Sequence, residues 1–301
     1  MYKKLNEHIM HTTALFDKAA EVLENKLAQD ANNPQLLAAL LNNARQRGQI
    51  QAAKTYCERL LVVAPEHTQA RCLSAIFNEQ PLKLQPNITQ PVPYIRRKGI
   101  LNAAEQQQIW DCIEKKKADF EPSKLITGYT SDIRQSQLIT AKKKTLLHTI
   151  KAWFVPKVEH IIQDKLACFD LADTLIGKKE LQLTLHGDTD YLKTHTDVLL
   201  TKPTDQLSAG YQVIQTRKIS FVYYFHSEPQ QFTGGELLLL DTQLAQDTYS
   251  PEHTRIQPEH NSLVLFPSQF YHQVTPVACK ADPYQHGRFT LNGWIHERVK
   301  E

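Results

Sequence analysis

The sequence predicts an α+β protein, with an all-α region first and a β-rich domain backed by helices after it. Three observations predict this. Up to residue 80, apolar residues recur only at helical spacing. A Pro-rich stretch without period follows at 81–99. From residue 181, six short runs rich in β-branched and aromatic residues are separated by Gly, Pro and Asp. That pattern is typical of an all-β sandwich or small barrel.

Along the chain, "FDKAAEVLENKLAQD" reads as a helix that "ANNP" breaks. "QLLAALLNNARQRGQIQAAKTYCERLLVVAP" reads as two helices with a turn at Gly48, closed by Pro65. Gly48, Ala53 and Pro65 fall where a tetratricopeptide repeat places its turn glycine, its small packing residue and its closing proline. Residues 1–80 therefore resemble one or two such repeats, truncated near Asn78. So short an array has little concave surface, so a structural or dimerising role competes with partner binding. Residues 81–99 carry four prolines and are expected to be a linker that few contacts cross. The remainder, 100–301, is expected to be the catalytic domain. It opens with an amphipathic helix near 103–118, a loop "GYTSDIRQSQLI" at 128–139 and a long helix near 142–166. "AKKK" at 141–144 is expected as a solvated helix face. The strands are "LQLTLH", "RKISFVYYF", "GELLLLD", "SLVLFP", "HQVTPV" and "RFTLNGWIH".

Composition narrows the function classes. A charged fraction of 22% and a net charge of +3 describe a globular protein without a clustered basic face, which argues against nucleic acid. No apolar run reaches the length of a membrane span. The N-terminus lacks a long apolar segment with a small-residue cleavage site, so no signal peptide is expected. The five cysteines are odd in number and widely spaced, with no CxxC, as in a reduced cytoplasmic protein.

Chemistry concentrates in "LTLHGDTDYLKTHTDVLL". It holds His-x-Asp twice, as His186/Asp188 and His195/Asp197. With 13 histidines in the chain, roughly 0.6 such matches are expected by chance, so the spacing alone does not choose between them. A third metal ligand is available in "FPSQFYHQVTPV", where His272 opens an apolar strand. Sixteen residues on, Arg288 sits on a strand between apolar neighbours and needs an anion, because an unpaired buried charge is costly. Two histidines and one carboxylate match the facial triad of non-haem Fe(II), which leaves positions open for a dicarboxylate and dioxygen. An arginine supplies a bidentate fork for the far carboxylate.

These stretches resemble the 2-oxoglutarate- and Fe(II)-dependent oxygenases, in particular their prolyl-4-hydroxylase-like branch, over about residues 95–298. The resemblance rests on "YLKTHTD", "RKISFVYYFHSEPQQFTGGELLLLD", "LVLFPSQFYHQVTPV" and "GRFTLNGWIH", in that order. It implies a double-stranded β-helix, or jelly-roll. It implies His195, Asp197 and His272 as the metal ligands, since the family pair follows an aromatic (here Tyr191) and precedes a variable loop (here "LLTKPTDQLSAGYQ"). It implies Arg288 as the clamp on 2-oxoglutarate, with Tyr224 as a further contact and Trp294 near the metal. His186 stands where the family often has a tyrosine that bonds the co-substrate, which is a departure. Thr290, on the same strand face as Arg288, could add a hydroxyl. Arg217 matches a position lining the substrate channel, and Arg134 is expected to face the pocket from a lid at 128–139.

The resemblance implies oxidative decarboxylation of 2-oxoglutarate to succinate and CO2 with O2, coupled to hydroxylation of an unactivated C–H, with L-ascorbate as reductant. A prolyl residue in a protein or peptide is the lead substrate; free amino acids and peptide natural products stay open. Two rival readings remain. One is a non-enzymatic helical scaffold with a decayed β domain. The other is a cupin-type metal enzyme that uses no 2-oxoglutarate.

Overall fold

The computed structural model describes residues 2–123, 133–141, 145–198, 215–280 and 282–298, with side chains from residue 14 onward. Residues 128–132 of the expected lid, the variable loop 199–212 and Lys142–Lys144 lie outside this set.

Four helices open the chain: α1 (Tyr2–Gln29), α2 (Pro34–Gln46), α3 (Ile50–Val63) and α4 (Thr68–Phe77). Their ends follow local chemistry. Asn33 caps α2 by accepting from Leu36 N, with Pro34 at the first helical position, where its missing N–H costs nothing. Gly48 takes φ +75 in the turn to α3, a conformation that suits glycine. Two long helices are described in the second part. Helix α5 (Ala103–Lys116) starts on a capping box of Asn102 and Glu105. Helix α6 (Leu146–Gln163) starts later than its apolar period suggests, because the Thr145 hydroxyl caps His148 N.

The strands run in chain order as β1 (Ile95–Lys98), β2 (Glu121–Pro122), β3 (Arg134–Gln135), β4 (Gln137–Thr140), β5 (Ile176–Lys179), β6 (Gln182–His186), β7 (Tyr191–His195), β8 (Arg217–Phe225), β9 (Phe232–Gly234), β10 (Leu237–Gln243), β11 (Thr248–Ile256), β12 (Ser262–Pro267), β13 (His272–Val274), β14 (Val277–Cys279) and β15 (Arg288–Glu297). One sheet orders them β1-β12-β8-β15-β6-β4-β2, with β5 on β15; a second orders them β11-β10-β13-β7-β3; β14 and β9 pair in a two-stranded sheet. The pairings are antiparallel. Successive strands cross between the sheets, from β6 to β7 to β8 and from β11 to β12 to β13, which is jelly-roll topology.

Strand alternation sorts the core. On the outer face of the first sheet, Leu183, Leu185, Phe221, Tyr223, Phe289 and Leu291 pack under α5 and α6. Tyr224, Val264 and Phe266 turn the other way. They join Leu237, Leu239, Ile256 and Phe270 in a second cluster, which is completed by Leu37, Leu41, Leu60 and Leu73 from the N-terminal helices. A buried ion pair ties the same seam. Arg45 of α2 holds Asp241 of β10 through NH2–Oδ1 at 2.5 Å and NH1–Oδ2 at 3.1 Å.

The expectation of a contact-poor linker does not hold for residues 90–98. Gln90 exchanges backbone hydrogen bonds with Thr242, Val92 and Tyr94 are buried against the helices, and β1 pairs with β12. Proline removes donors but presets extended backbone, which suits a strap whose next four residues form an edge strand. The expected lid is partly strand as well, since residues 134–140 form β3 and β4.

Candidate metal and co-substrate site

Strand register assembles the metal centre. On adjacent strands, His195 of β7 lies opposite His272 of β13, with ring centroids 4.2 Å apart. Asp197 follows the end of β7 and is pinned by its own N–H to Ser268 O at 3.0 Å. His195 Nε2 lies 3.7 Å from Asp197 Oδ1, and His272 Nε2 lies 3.5 Å from Asp197 Oδ2. One ligand atom from each residue falls within 4.8 Å of the others, the one such grouping among the described residues.

The surrounding bonds orient these ligands. His195 Nδ1 donates to Lys193 O at 2.9 Å and His272 Nδ1 to Phe270 O at 3.0 Å. A carbonyl can only accept, so Nδ1 carries the proton and each Nε2 lone pair faces inward, as metal ligation requires. Ser220 Oγ donates to Asp197 Oδ2 at 2.5 Å and meets Ser268 Oγ at 2.9 Å. Burial pushes His272 down to about 4, keeping it a neutral ligand. Burial alone would raise Asp197, yet the two imidazoles and Arg217 outweigh it and hold the carboxyl well below its usual range. A carboxylate beside two imidazoles whose Nε2 atoms face it is a donor set for a divalent metal such as Fe(II).

The cavity beside this centre is lined by Arg134, Thr184, His186, Arg288, Thr290 and Trp294, among others. Arg288, Thr290, Asn292 and Trp294 share one face of β15, and that face points inward. Arg288 is 2% exposed and has no carboxylate partner among the described residues. Its NH1 donates to His186 Nδ1 at 3.2 Å, and its guanidinium lies 5.0 Å from the Tyr224 ring. Gly235 is what lets it sit there, since a β-carbon at that position would meet Arg288 Cδ at 2.5 Å. Arg288 Nε, His186 Nε2 and Tyr224 Oη are buried without hydrogen-bond partners. Such orphaned donors around a buried cation fit an anionic oxoacid. Burial and the charges of Arg288 and Arg134 push His186 well down, so the ring is neutral; its Nδ1 accepts, which leaves the proton on Nε2.

Asp188 lies elsewhere. It accepts from Cys279 N at 3.0 Å in the turn before β7, which makes the upstream His-x-Asp a cavity histidine plus a turn cap. Arg217 is not a free cation. It pairs with Glu180 at 2.8 Å and stacks 3.6 Å from the Trp294 ring. Arg134 lines the cavity from β3, with burial lowering it to about 10. Thr290 Oγ1 lies 3.4 Å from Asn292 Oδ1, which accepts more closely from Thr184. The sequence reading missed Ser220, Ser268 and Glu180. Ser220 had a signal, being the polar member of the inward set Ser220, Val222, Tyr224 in an apolar strand; Glu180 had none.

Residues 181–296 match the 2OG-Fe(II) oxygenase superfamily. The chain is 28% identical over 295 residues to an uncharacterized PKHD-type hydroxylase of Synechocystis sp., covering 95% of this chain and 92% of that protein. A PKHD-type hydroxylase of Shewanella baltica is 45% identical over 53 residues, 18% of this chain and 20% of that one. A Pseudomonas putida prolyl-4-hydroxylase structure aligns at TM-score 0.47 and 17% identity, covering 69% of this chain and 94% of that one. The matched stretch, residues 181–296, contains His195, Asp197, His272 and Arg288.

Proposed function

We propose that the protein is an Fe(II)- and 2-oxoglutarate-dependent dioxygenase that hydroxylates an unactivated C–H of a prolyl residue in a protein or peptide. One observation carries the enzymatic reading: an oriented His195–Asp197–His272 set shares a cavity with a buried Arg288 that has no carboxylate partner among the described residues. A decayed scaffold has no reason to keep an unpaired buried cation, and a cupin that uses no dicarboxylate has no need of one.

Bound iron would supply dioxygen activation coupled to decarboxylation of 2-oxoglutarate. The protein's own groups bind and orient. His195, Asp197 and His272 hold the metal, with Ser220 and the backbone carbonyls of Lys193 and Phe270 fixing their directions. Arg288 grips the far carboxylate of the co-substrate through its planar fork. His186 Nε2–H and the Tyr224 hydroxyl donate to the same molecule, and Thr290 lines its bed. Trp294, stacked on Arg217, forms a dry wall beside the metal. The prolyl assignment is supported by the motif resemblance, and hydroxylation by the PKHD-type relatives. In the N-terminal helices, Gly48, Ala53 and Pro65 support a tetratricopeptide-like pair that acts as a buttress of the jelly-roll.

The test is succinate release from 2-oxoglutarate with Fe(II), ascorbate and Pro-containing peptides, with product mass read in parallel. Succinate with a peptide gain of one oxygen is expected. Failure of the wild type to bind or turn over 2-oxoglutarate would sink the enzymatic reading.

A further inference from the structure

The cavity holds a second arginine that the co-substrate does not need. Arg134 lies on β3, opposite Leu192 of the strand that ends in His195. It lines the same space as the metal ligands and Arg288. Its Nε donates to Ser136 Oγ at 3.1 Å, and that hydroxyl is itself held by Ser123 at 2.7 Å. The tether fixes the guanidinium but uses only one of its donors, because Arg presents five. Asp197 is the one acidic group whose charge opposes the effect of burial on Arg134. Glu180 is engaged with Arg217, and Glu236 with Arg255.

A count of charges then leaves one over. Fe(II) brings two positive charges; Asp197 and the metal-bound carboxylate of 2-oxoglutarate bring two negative ones. Arg288 is matched by the far carboxylate. His186 is neutral. Arg134 remains, half-buried and unmatched among the described residues. A half-buried guanidinium without a carboxylate partner attracts an anion, so one that arrives after the co-substrate is favoured there. The substrate is what arrives.

Resting on the dioxygenase reading above, we propose that Arg134 binds a carboxylate of the substrate, so that the molecule hydroxylated carries a free carboxylate within one side-chain length of the C–H attacked. A free amino acid and the C-terminal residue of a peptide both present that group; a mid-chain prolyl residue does not. The prolyl reading is thereby narrowed to proline itself or to a chain-terminal proline.

The experiment needs no turnover. Full-length protein loaded with Zn(II) and 2-oxoglutarate is titrated calorimetrically with L-proline, N-acetyl-L-proline and propionate, each against its amide. Loss of a charge-assisted pair corresponds to about 10-fold or more in Kd. At least one carboxylate is therefore expected to bind the wild type about 10-fold more tightly than its amide. Arg134→Gln should erase that difference and Arg134→Lys should keep part of it, while both variants bind 2-oxoglutarate within about twofold of wild type. The proposal is overturned if Arg134→Gln keeps the difference, or if the wild type distinguishes no acid from its amide. It is also overturned if Arg134→Gln weakens 2-oxoglutarate itself by about 10-fold, since the arginine would then serve the co-substrate. A wild type that binds no 2-oxoglutarate fails at the earlier step and removes both readings. Substituting chain-terminal Pro-Gly and Gly-Pro peptides, as acids and amides, then separates the free amino acid from the peptide terminus.

Discussion

Arg45 and Arg288 are both almost wholly buried, at 0% and 2% exposure, yet they do opposite work. Arg45 sits in the seam between the N-terminal helices and the second sheet. Asp241 takes its two terminal nitrogens, Thr254 accepts from Nε at 3.2 Å, and Asn42 accepts from NH1 at 3.0 Å. Arg288 sits in the cavity with a neutral histidine, a tyrosine ring and an unbonded Nε. A buried charge states only that a counter-charge is required. Where the chain supplies it, the residue is architecture; where it does not, the residue is waiting for a ligand. The contrast predicts that mutations in the seam change stability and mutations in the cavity change binding.

The strongest way to break the contrast is at the metal. His195→Ala, Asp197→Ala and His272→Ala are each expected to reduce succinate release to background with the melting temperature of the metal-free protein little changed. His186→Ala and Asp188→Ala should keep the metal, measured by metal content after dialysis. Metal loss in Asp188→Ala with retention in Asp197→Ala would show that the wrong pair has been chosen.

The seam comes next. Arg45→Ala leaves Asp241 buried without its partner, which costs about 3–5 kcal/mol of stability. Urea unfolding should show that loss, while the double change Arg45→Met with Asp241→Leu should recover most of it, since an apolar pair needs no counter-charge. For the same reason a chain starting near Pro91 is expected to aggregate: it would expose Leu237, Ile256 and Phe270 and strip Asp241 of Arg45. A soluble, iron-binding truncation would overturn the view of the helices as part of the catalytic fold.

Arg288 should behave in the opposite sense. Arg288→Ala removes a charge that no carboxylate among the described residues balances, so stability should hold or rise. Co-substrate binding should fall by about 2–5 kcal/mol, raising the KM for 2-oxoglutarate roughly 30-fold or more. Arg288→Lys should fall between, because an ammonium offers a point charge and no fork. A titration of succinate formation at saturating Fe(II) reads this. An unchanged KM would assign the co-substrate to Arg134 instead.

How much of this was legible in the sequence follows from where each partner lies. The inward face of β15 was legible, because alternation alone puts Arg288, Thr290, Asn292 and Trp294 on one side. The strand β11 was not, because Pro251 and its polar neighbours read as loop; as the edge of its sheet it tolerates a missing donor. The packed strap at 90–98 was hidden because proline content describes the backbone and says nothing of the surface waiting for Val92 and Tyr94. Arg45 was hidden for the same reason, since its partner lies far along the chain. Local pattern gives the face a residue points to; it does not give what that face meets.

The smallest effect expected is at Ser220, and it tests whether the cavity is built as tightly as the seam. Ser220 is not itself a metal ligand. Its hydroxyl donates to Asp197 Oδ2 at 2.5 Å, while Ser268 stands 2.9 Å behind it and also accepts Asp197 N through its carbonyl. Removing the donor leaves the carboxylate one bond short but still anchored by its backbone. Partners of this kind contribute about 10–100-fold to metal affinity. With Ser268 Oγ close enough to turn toward the vacated oxygen, Ser220→Ala is expected at the lower end, about 10-fold, read by chelator competition for the metal. Ser220→Ala combined with Ser268→Ala should then lose more than the sum of the two single changes, since each hydroxyl covers for the other. Strict additivity would mean that the two serines do not act on the same oxygen, and that Asp197 is held in place by its main chain alone.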